Sequence, residues 1–404
     1  MAKKNGRNKM TSQSGKMVKG IIVIVLCLCG VASGIMATVS GIKKKNTERT
    51  VRVAFYGLSE EYVKILQEKI PIEDKIILQC DILSEGNIDL AALKQKYDIL
   101  FTWKGEITDM LEASSSDIPA KILEVIPASL RNKKCVPVLL DNCELDYNTA
   151  VVESTTENIP TSFSTFLNYL NQAKNYVFSP FFCAGASDRD LTAFVGCLIE
   201  AGGGVEAYKN LINELKAGTE FEVLLDKKLG TAKITLRSIL EMLKSWPEEG
   251  LTRPSWYNGQ QSELIYFAHD NQLGVFFTFL HDHRNIPYET INRYESYLMP
   301  PVSSTTEYGL IAPAISCMLL TENSNSKRYL SEFFTESAQK DLSNKTKLAP
   351  VHLRAQAYDS QADDVRFWAA SCAAGALPDL YLAVWQRNPS GCAEFAKNIR
   401  NMVR

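Results

Sequence analysis

The sequence predicts an α/β protein carried on a single apolar N-terminal segment. Two observations predict it. From residue 51 onward, short runs of β-branched and aromatic residues alternate with helical stripes, and only residues 20–42 form a long stretch without charge. That stretch reads GIIVIVLCLCGVASGIMATVSGI; as a helix its 23 residues reach roughly 34 Å, against a hydrocarbon core of about 30 Å. Six basic residues precede it and three (Lys43, Lys44, Lys45) follow. The positive-inside rule then leaves 1–19 as a basic cytoplasmic region and everything after Lys43 outside. Two other readings stand beside a retained anchor. One is a signal peptide cleaved near Ala32-Ser33-Gly34. The other is a lipoprotein acylated at Cys27 or Cys29, although Leu26 and Leu28 stand where a small residue is usual. In all three the chain beyond about residue 46 is extracytoplasmic, either attached to the cytoplasmic membrane or released.

Length and composition narrow the class. The 404 residues give room for two or three domains, and 46% hydrophobic with 22% charged residues is ordinary for a folded chain. A largely disordered chain, a collagen, a small disulfide scaffold and a polytopic membrane protein are excluded. The net charge of −2 is split: residues 1–45 hold nine Lys/Arg and no acid, so the remainder has 35 basic against 46 acidic residues. An acidic body does not suit nucleic acid, since phosphate neutralisation needs a basic face. Eight cysteines lie beyond the apolar stretch (Cys80, Cys135, Cys143, Cys183, Cys197, Cys317, Cys372, Cys392) with no CxxC and no zinc-ligand spacing to His. Their apolar neighbours predict buried thiols.

Each element follows from local pattern. Residues 51–57 read as a strand ending in a glycine turn. Ser59 is placed to cap a helix with Tyr62, Val63, Leu66 and Ile70 inward. Strands follow at 76–83 and 97–103, with a short helix between. Such repeats give right-handed βαβ units whose ligands bind beyond the carboxyl ends of the strands, here near Tyr56 and Trp103. Residues 136–148 are extended. A helix starts after Ile159-Pro160-Thr161-Ser162, with Phe163, Phe166, Leu167 and Leu170 on its stripe. Another spans about 190–201 and ends at Gly202-Gly203-Gly204, a stop signal rather than a phosphate cradle because no strand precedes it. The stretch 211–243 is helical, as is 260–269, and 273–279 is a strand. Residues 296–302 are an extended crossing. Ser326 caps a helix with Tyr329, Leu330, Phe333 and Phe334 inward, and 367–375 and 378–386 are helical. There is no internal repeat.

In this order the motifs resemble the extracellular solute-binding proteins of sugar-type ABC importers, the maltose-binding-protein-like class. Four stretches carry the resemblance. Val136-Pro137 through Tyr147-Asn148 is similar to the family's first crossing between lobes. Ile159 to Phe166 is similar to its P-x-T-W/F-x-E-F helix start, and 194–204 to its helix ending in a Gly pair. The run 311–351 is the most specific: an apolar strand, Asn323-Ser324, the helix with Thr335-Glu336-Ser337-Ala338-Gln339, then Leu348-Ala349-Pro350-Val351. The resemblance covers 50–404. It implies a type II periplasmic-binding-protein fold, with lobe one formed by 50–145 and 300–347 and lobe two by 149–297 and 350–404. It also implies a hinge, a small sugar-like solute in the cleft, an ABC permease as partner, a monomer, no cofactor and no catalysis.

A sugar presents hydroxyls on its edge and C–H groups on its faces, so its site combines aromatic planes with polar groups. Trp103 follows the third strand, where packing at a lobe edge is the competing role. Trp256 and Tyr257 lie in the loop Pro254 to Gly259, and Phe277 stands where the family's stacking Trp often lies. Asp141 and Asn142 sit on the first crossing, with Tyr56 after strand one. His281-Asp282-His283 has no third partner in view and reads as a solvated loop rather than a metal site. No G-x-S-x-G, H-E-x-x-H or P-loop is present. The departures from the family pattern also admit a membrane-tethered sensor or interaction domain not coupled to transport.

Overall fold

The computed structural model describes residues 50–68, 76–302 and 309–404. The apolar stretch 20–42 lies outside the described residues, and no helix among those is long and apolar enough to cross a membrane. Apart from Thr50 and residues 76–78, the described residues lie in one compact unit of the chain.

Lobe one is built on a six-stranded sheet. Its strands are β1 (Thr50–Tyr56), β2 (Ile77–Leu83), β3 (Ile99–Trp103), β4 (Cys135–Leu140), β10 (Ala314–Leu319) and β11 (Ala349–Pro350), in the order β11-β4-β10-β3-β1-β2. β1 and β3 pair in parallel, and β3 is buried along its whole length, as a strand covered on both faces must be. Ser59 accepts the Tyr62 amide at 3.3 Å, and the helix Glu60–Glu68 turns Val63 and Leu66 inward. β10 runs antiparallel to both β3 and β4, so a strand from late in the chain closes the middle of this sheet.

Lobe two surrounds a four-stranded sheet. It contains β5 (Cys143–Asn148), β6 (Ser179–Cys183), β7 (Leu273–Phe279) and β8 (Tyr294–Tyr297) in the order β6-β7-β5-β8. Ser162 and Thr165 form a capping box for the helix Phe163–Ala173, whose stripe buries Phe163, Phe166, Tyr169 and Leu170. The helix Asp188–Lys216 breaks at Gly204 (φ +73°), which ends the first segment as the glycine triplet predicts, but helix resumes at once. Two further short strands, β9 (Leu310–Ile311) and β12 (Ala376–Leu377), pair in parallel beside the lobes.

The first passage between the sheets is short. β4 ends at Leu140 and β5 begins at Cys143, so the first passage is Asp141–Asn142, fixed by the Asp141 amide to Pro313 O (2.7 Å) and the Leu280 amide to Asn142 O (2.9 Å). The chain returns between β8 and β10. Several local expectations shift. The 211–243 stretch is three helices, ending at Lys216, spanning Phe221–Leu225, and starting at Leu236, because Gly218 and Gly230 take positive φ between them. Asn323, not Ser326, caps the helix Ser324–Glu332, and the buried Ser326 hydroxyl has no partner among the described residues. The expected 367–375 helix is Ser360–Ser371, and within 378–386 the backbone makes a π-helical turn, Tyr381–Trp385. Cys135, Cys143, Cys183, Cys197, Cys317 and Cys392 are buried thiols.

The π turn joins the core of lobe two through Leu380, Ala383 and Trp385, yet it also reaches lobe one. A Cβ at Gly105, just beyond β3, would collide with the Leu382 carbonyl oxygen. Gly105→Ala is therefore expected to cost about 1–3 kcal/mol, as overpacking does, measured by urea unfolding.

Candidate functional site

The strand ends of the two sheets meet around Arg189, in the first turn of the helix that follows β6. Its guanidinium lies 5.6 Å from the ring centre of Trp103 in lobe one, 5.0 Å from that of Phe279 at the end of β7, and 5.9 Å from that of Tyr381. Asp379, fully buried, holds it through two hydrogen bonds of 2.7 and 3.0 Å. Burial would lower the guanidinium pKa, but Asp379 outweighs it and keeps Arg189 charged. Tyr62 meets Trp103 edge to face at 6.0 Å. Burial, then the charge of Asp141, push the Tyr62 hydroxyl up. Around this group Tyr62, Arg189, Asp190, His281 and Asp282 remain partly open to solvent. Burial and the nearby Asp282 raise Asp190 to about 6. Burial also raises Asp282.

Behind this face lies a second, drier layer. Asp141 accepts the His281 amide (3.1 Å) and faces its Nδ1 (2.7 Å). His283 Nδ1 faces Asp146 Oδ2 at 2.8 Å, Glu144 Oε1 at 3.4 Å and Ser296 Oγ at 3.2 Å. Burial disfavours both imidazolium ions, but Asp141 and Asp146 respectively overcome it and hold each His at about 9. Burial and the charge of Asp146 raise Glu144 to about 8. The reading of 281–283 as a solvated loop is corrected here: the register of β7 against β5 folds it into the short helix Leu280–His283, directly against the buried carboxylates of the passage. Glu144, Asp146 and His283 are the one group among the described residues placed to hold a metal ion. A separate hollow of about 370 Å³, lined by Pro160, Tyr297, Met299, Pro301 and Trp368 among others, flanks the return passage and has few polar groups.

No family profile and no curated protein sequence matches the chain. Solved structures do. The solute receptor AcbH superposes with TM-score 0.68 at 11% identity, covering 88% of this chain and 92% of its own. The binding protein MsmE of Bacillus subtilis strain 168, in an open conformation, gives 0.66 at 12% identity over 88% and 96%. Apo RafE of Streptococcus pneumoniae gives 0.63 at 12% identity over 88% and 93%. The fold is that of the type II periplasmic binding proteins.

Within this binding-protein fold the sequence-derived residues fall into three places. Trp103 (6% exposed) and Asp141 belong to the meeting of strand ends just described. Trp256, Tyr257 and Phe277 gather in the core of lobe two, with Phe194 5.9 Å from Trp256 and 5.3 Å from Phe277. Trp256 is only 2% exposed, and its Nε1 has no partner among the described residues. Tyr56 is buried in lobe one, its hydroxyl donating to Gly86 O at 2.7 Å, and Asn142 is buried at the passage. Sequence reasoning missed Tyr62, Arg189, Asp190, Phe279 and Tyr381. A signal for Arg189 existed: Asp188-Arg189-Asp190 opens a helix directly after a strand, where the strand-end rule places ligand contacts.

Trp256→Ala is expected to destabilise by about 3–5 kcal/mol in urea unfolding, as loss of a buried aromatic does. For Asp190 the sign runs against ionisation: with its pKa raised in the folded state, the native form binds more protons than the unfolded one between the ordinary carboxylate range and about 6, so its contribution to stability falls as pH rises through that window. Asp190→Asn is therefore expected to melt higher than the parent at pH 7. The difference should vanish near pH 3.5, read by thermal melts across pH.

Proposed function

We propose that the chain is an extracytoplasmic solute-binding protein that captures a small polar solute of sugar type between its lobes and delivers it to an ABC importer. One observation carries this reading: aromatic planes and ionisable side chains from both lobes converge beyond the strand ends, at Tyr62, Trp103, Arg189, Phe279, His281 and Asp282. This is the pairing of flat apolar faces with hydrogen-bonding groups that a pyranose requires. The names of similar structures point the same way. AcbH is described as preferring β-D-galactopyranose, and a sugar transporter of Bacillus licheniformis was solved with stachyose. In this reading Trp103 and Tyr62 supply the planes, and Arg189, Asp190, His281 and Asp282 meet the hydroxyls. Asp141 orients His281, Asn142 sets the passage, and Tyr56, Trp256, Tyr257 and Phe277 support the walls. The protein acts as a monomer without cofactor or catalysis, with lobe one built on β1–β4, β10 and β11 and lobe two on β5–β8. It is held at the membrane, or exported, by residues 20–42.

A second reading, a tethered sensor or interaction domain uncoupled from transport, is favoured by the contacts that the π turn makes across the lobes. Gln386 Nε2 donates to Thr102 Oγ1 (3.0 Å) and Trp103 O (3.3 Å), its Oε1 accepts the Ile107 amide (3.2 Å), and the Arg387 amide donates to Glu106 (3.0 Å).

Thermal-shift measurement against mono- and oligosaccharides tests both. A solute at 100 times its dissociation constant should add about 2.7 kcal/mol of stability. Trp103→Ala should weaken that solute at least about tenfold, or 1.4 kcal/mol, while still folding. Binding untouched by Trp103→Ala would refute the stacking role, and no stabilisation by any sugar would leave the second reading standing.

A further inference from the structure

We propose that Glu144, Asp146, His283 and Ser296 form a site for one divalent first-row cation of the zinc class, buried where β5, β8 and the helix Leu280–His283 meet. The site follows from register. Glu144 and Asp146 are two apart on β5 and so share a face, β8 sets Ser296 directly opposite Asp146, and His283 closes the set from the end of β7. All four residues are buried, Ser296 the least so at 6% exposure.

The donor atoms converge on one centre. His283 Nδ1 is 2.8 Å from Asp146 Oδ2, 3.4 Å from Glu144 Oε1 and 3.2 Å from Ser296 Oγ, while Ser296 Oγ is 3.2 Å from Glu144 Oε1 and 2.7 Å from Asp146 Oδ1. Ligand atoms about 2.0–2.1 Å from a tetrahedral zinc ion stand about 3.4 Å apart; His283 Nδ1 and Glu144 Oε1 already have that spacing, while the two short contacts of Asp146, made through different carboxylate oxygens, must open by about 0.6–0.7 Å. The Nδ1 group faces three oxygens and the Ser296 hydroxyl faces two carboxyl groups, so the donors crowd a single centre. A dication coordinated by two carboxylates and a neutral imidazole leaves no net charge in the dry layer, and its hard and borderline N/O donors suit zinc, cobalt or manganese rather than a soft ion. Asn142 supports the first ligand from outside: its Nδ2 lies 3.4 Å from Glu144 Oε2, the oxygen turned away from the centre.

Because the donors are enclosed, the ion enters as the lobe folds. The test is refolding of the tag-free full chain, in detergent, in the presence of either a chelator or Zn²⁺, followed by gel filtration, metal analysis and melting. One ion per chain and a melting temperature several degrees above the chelator-refolded protein are expected. Refolding with Co²⁺ should give the intense visible absorption of a tetrahedral site, a readout that needs no variant. Glu144→Gln with His283→Gln should abolish retention, whereas His269→Gln, on the surface and outside the set, should keep it. Equal melting temperatures with and without metal, an octahedral cobalt spectrum, or retention unchanged in the double variant would each overturn the proposal.

Discussion

Three carboxylates within six consecutive residues, Asp141, Glu144 and Asp146, are buried where the chain leaves one sheet for the other, and the architecture depends on satisfying them. Ionised carboxylates removed from water lose several kcal/mol each unless a partner restores it. The imidazole partners of the two aspartates come from a single element. β7 pairs antiparallel with β5, from Cys143 opposite Phe279 onward, so the four residues after β7 lie against the passage, and they carry His281 and His283. Asp141 takes one and Asp146 the other. The position of lobe two relative to the passage is thus tied to electrostatics as well as to packing, and a lone substitution of either His would leave a buried carboxylate uncompensated.

The second organising contact involves the far end of the chain. Just beyond β3 the chain turns into the helix Glu106–Glu112, and Gln386 meets both the Ile107 amide of its first turn and the Trp103 carbonyl with one side-chain amide. A π-helical turn places it there. Widening the helix by one residue lets Tyr381 face Arg189, while Leu382 packs under Gly105, where only a glycine leaves room. Lobe two thereby reaches across with backbone, side chain and a charged group at once.

Much of the fold was legible because it rests on local rules. Ser59 and Ser162 announce their helices and β3 reads as a nearly continuous apolar run, while the fold class comes from the family resemblance of the motifs over 311–351. The site was less legible because its residues are brought together by tertiary register. Trp103 could be named from strand-end position, and Asp141 from the resemblance of its stretch to the family's first crossing. Trp256 could not be told from a stacking ring, since a large aromatic in a loop looks the same whether it caps a core or a cleft, and only burial against Phe194 separates the two. His281 and His283 looked unpartnered because their partners lie some 140 residues away, on β5 and the passage that leads into it.

If the chain binds a solute as proposed, its entry follows from the strength of the crossing contacts. Gln386 and the Arg387 amide make four hydrogen bonds to lobe one. At about 0.5–1.5 kcal/mol each, they hold the lobes together by roughly 2–6 kcal/mol before Arg189 and Trp103 are counted. A bias of about 3 kcal/mol leaves the open form below one part in a hundred. That population slows capture in proportion while leaving the closed, liganded state as stable as its own contacts make it. A receptor feeding a rapid importer gains from ready opening, whereas one that reports the presence of a solute tolerates slow exchange. If instead the segment 379–387 moves with lobe one, the bonds survive opening and the pivot falls between Leu377 and the body of lobe two. The two cases differ in where Tyr381 goes: in the first it leaves Trp103 with Arg189, and in the second it stays and becomes part of the wall that the solute meets.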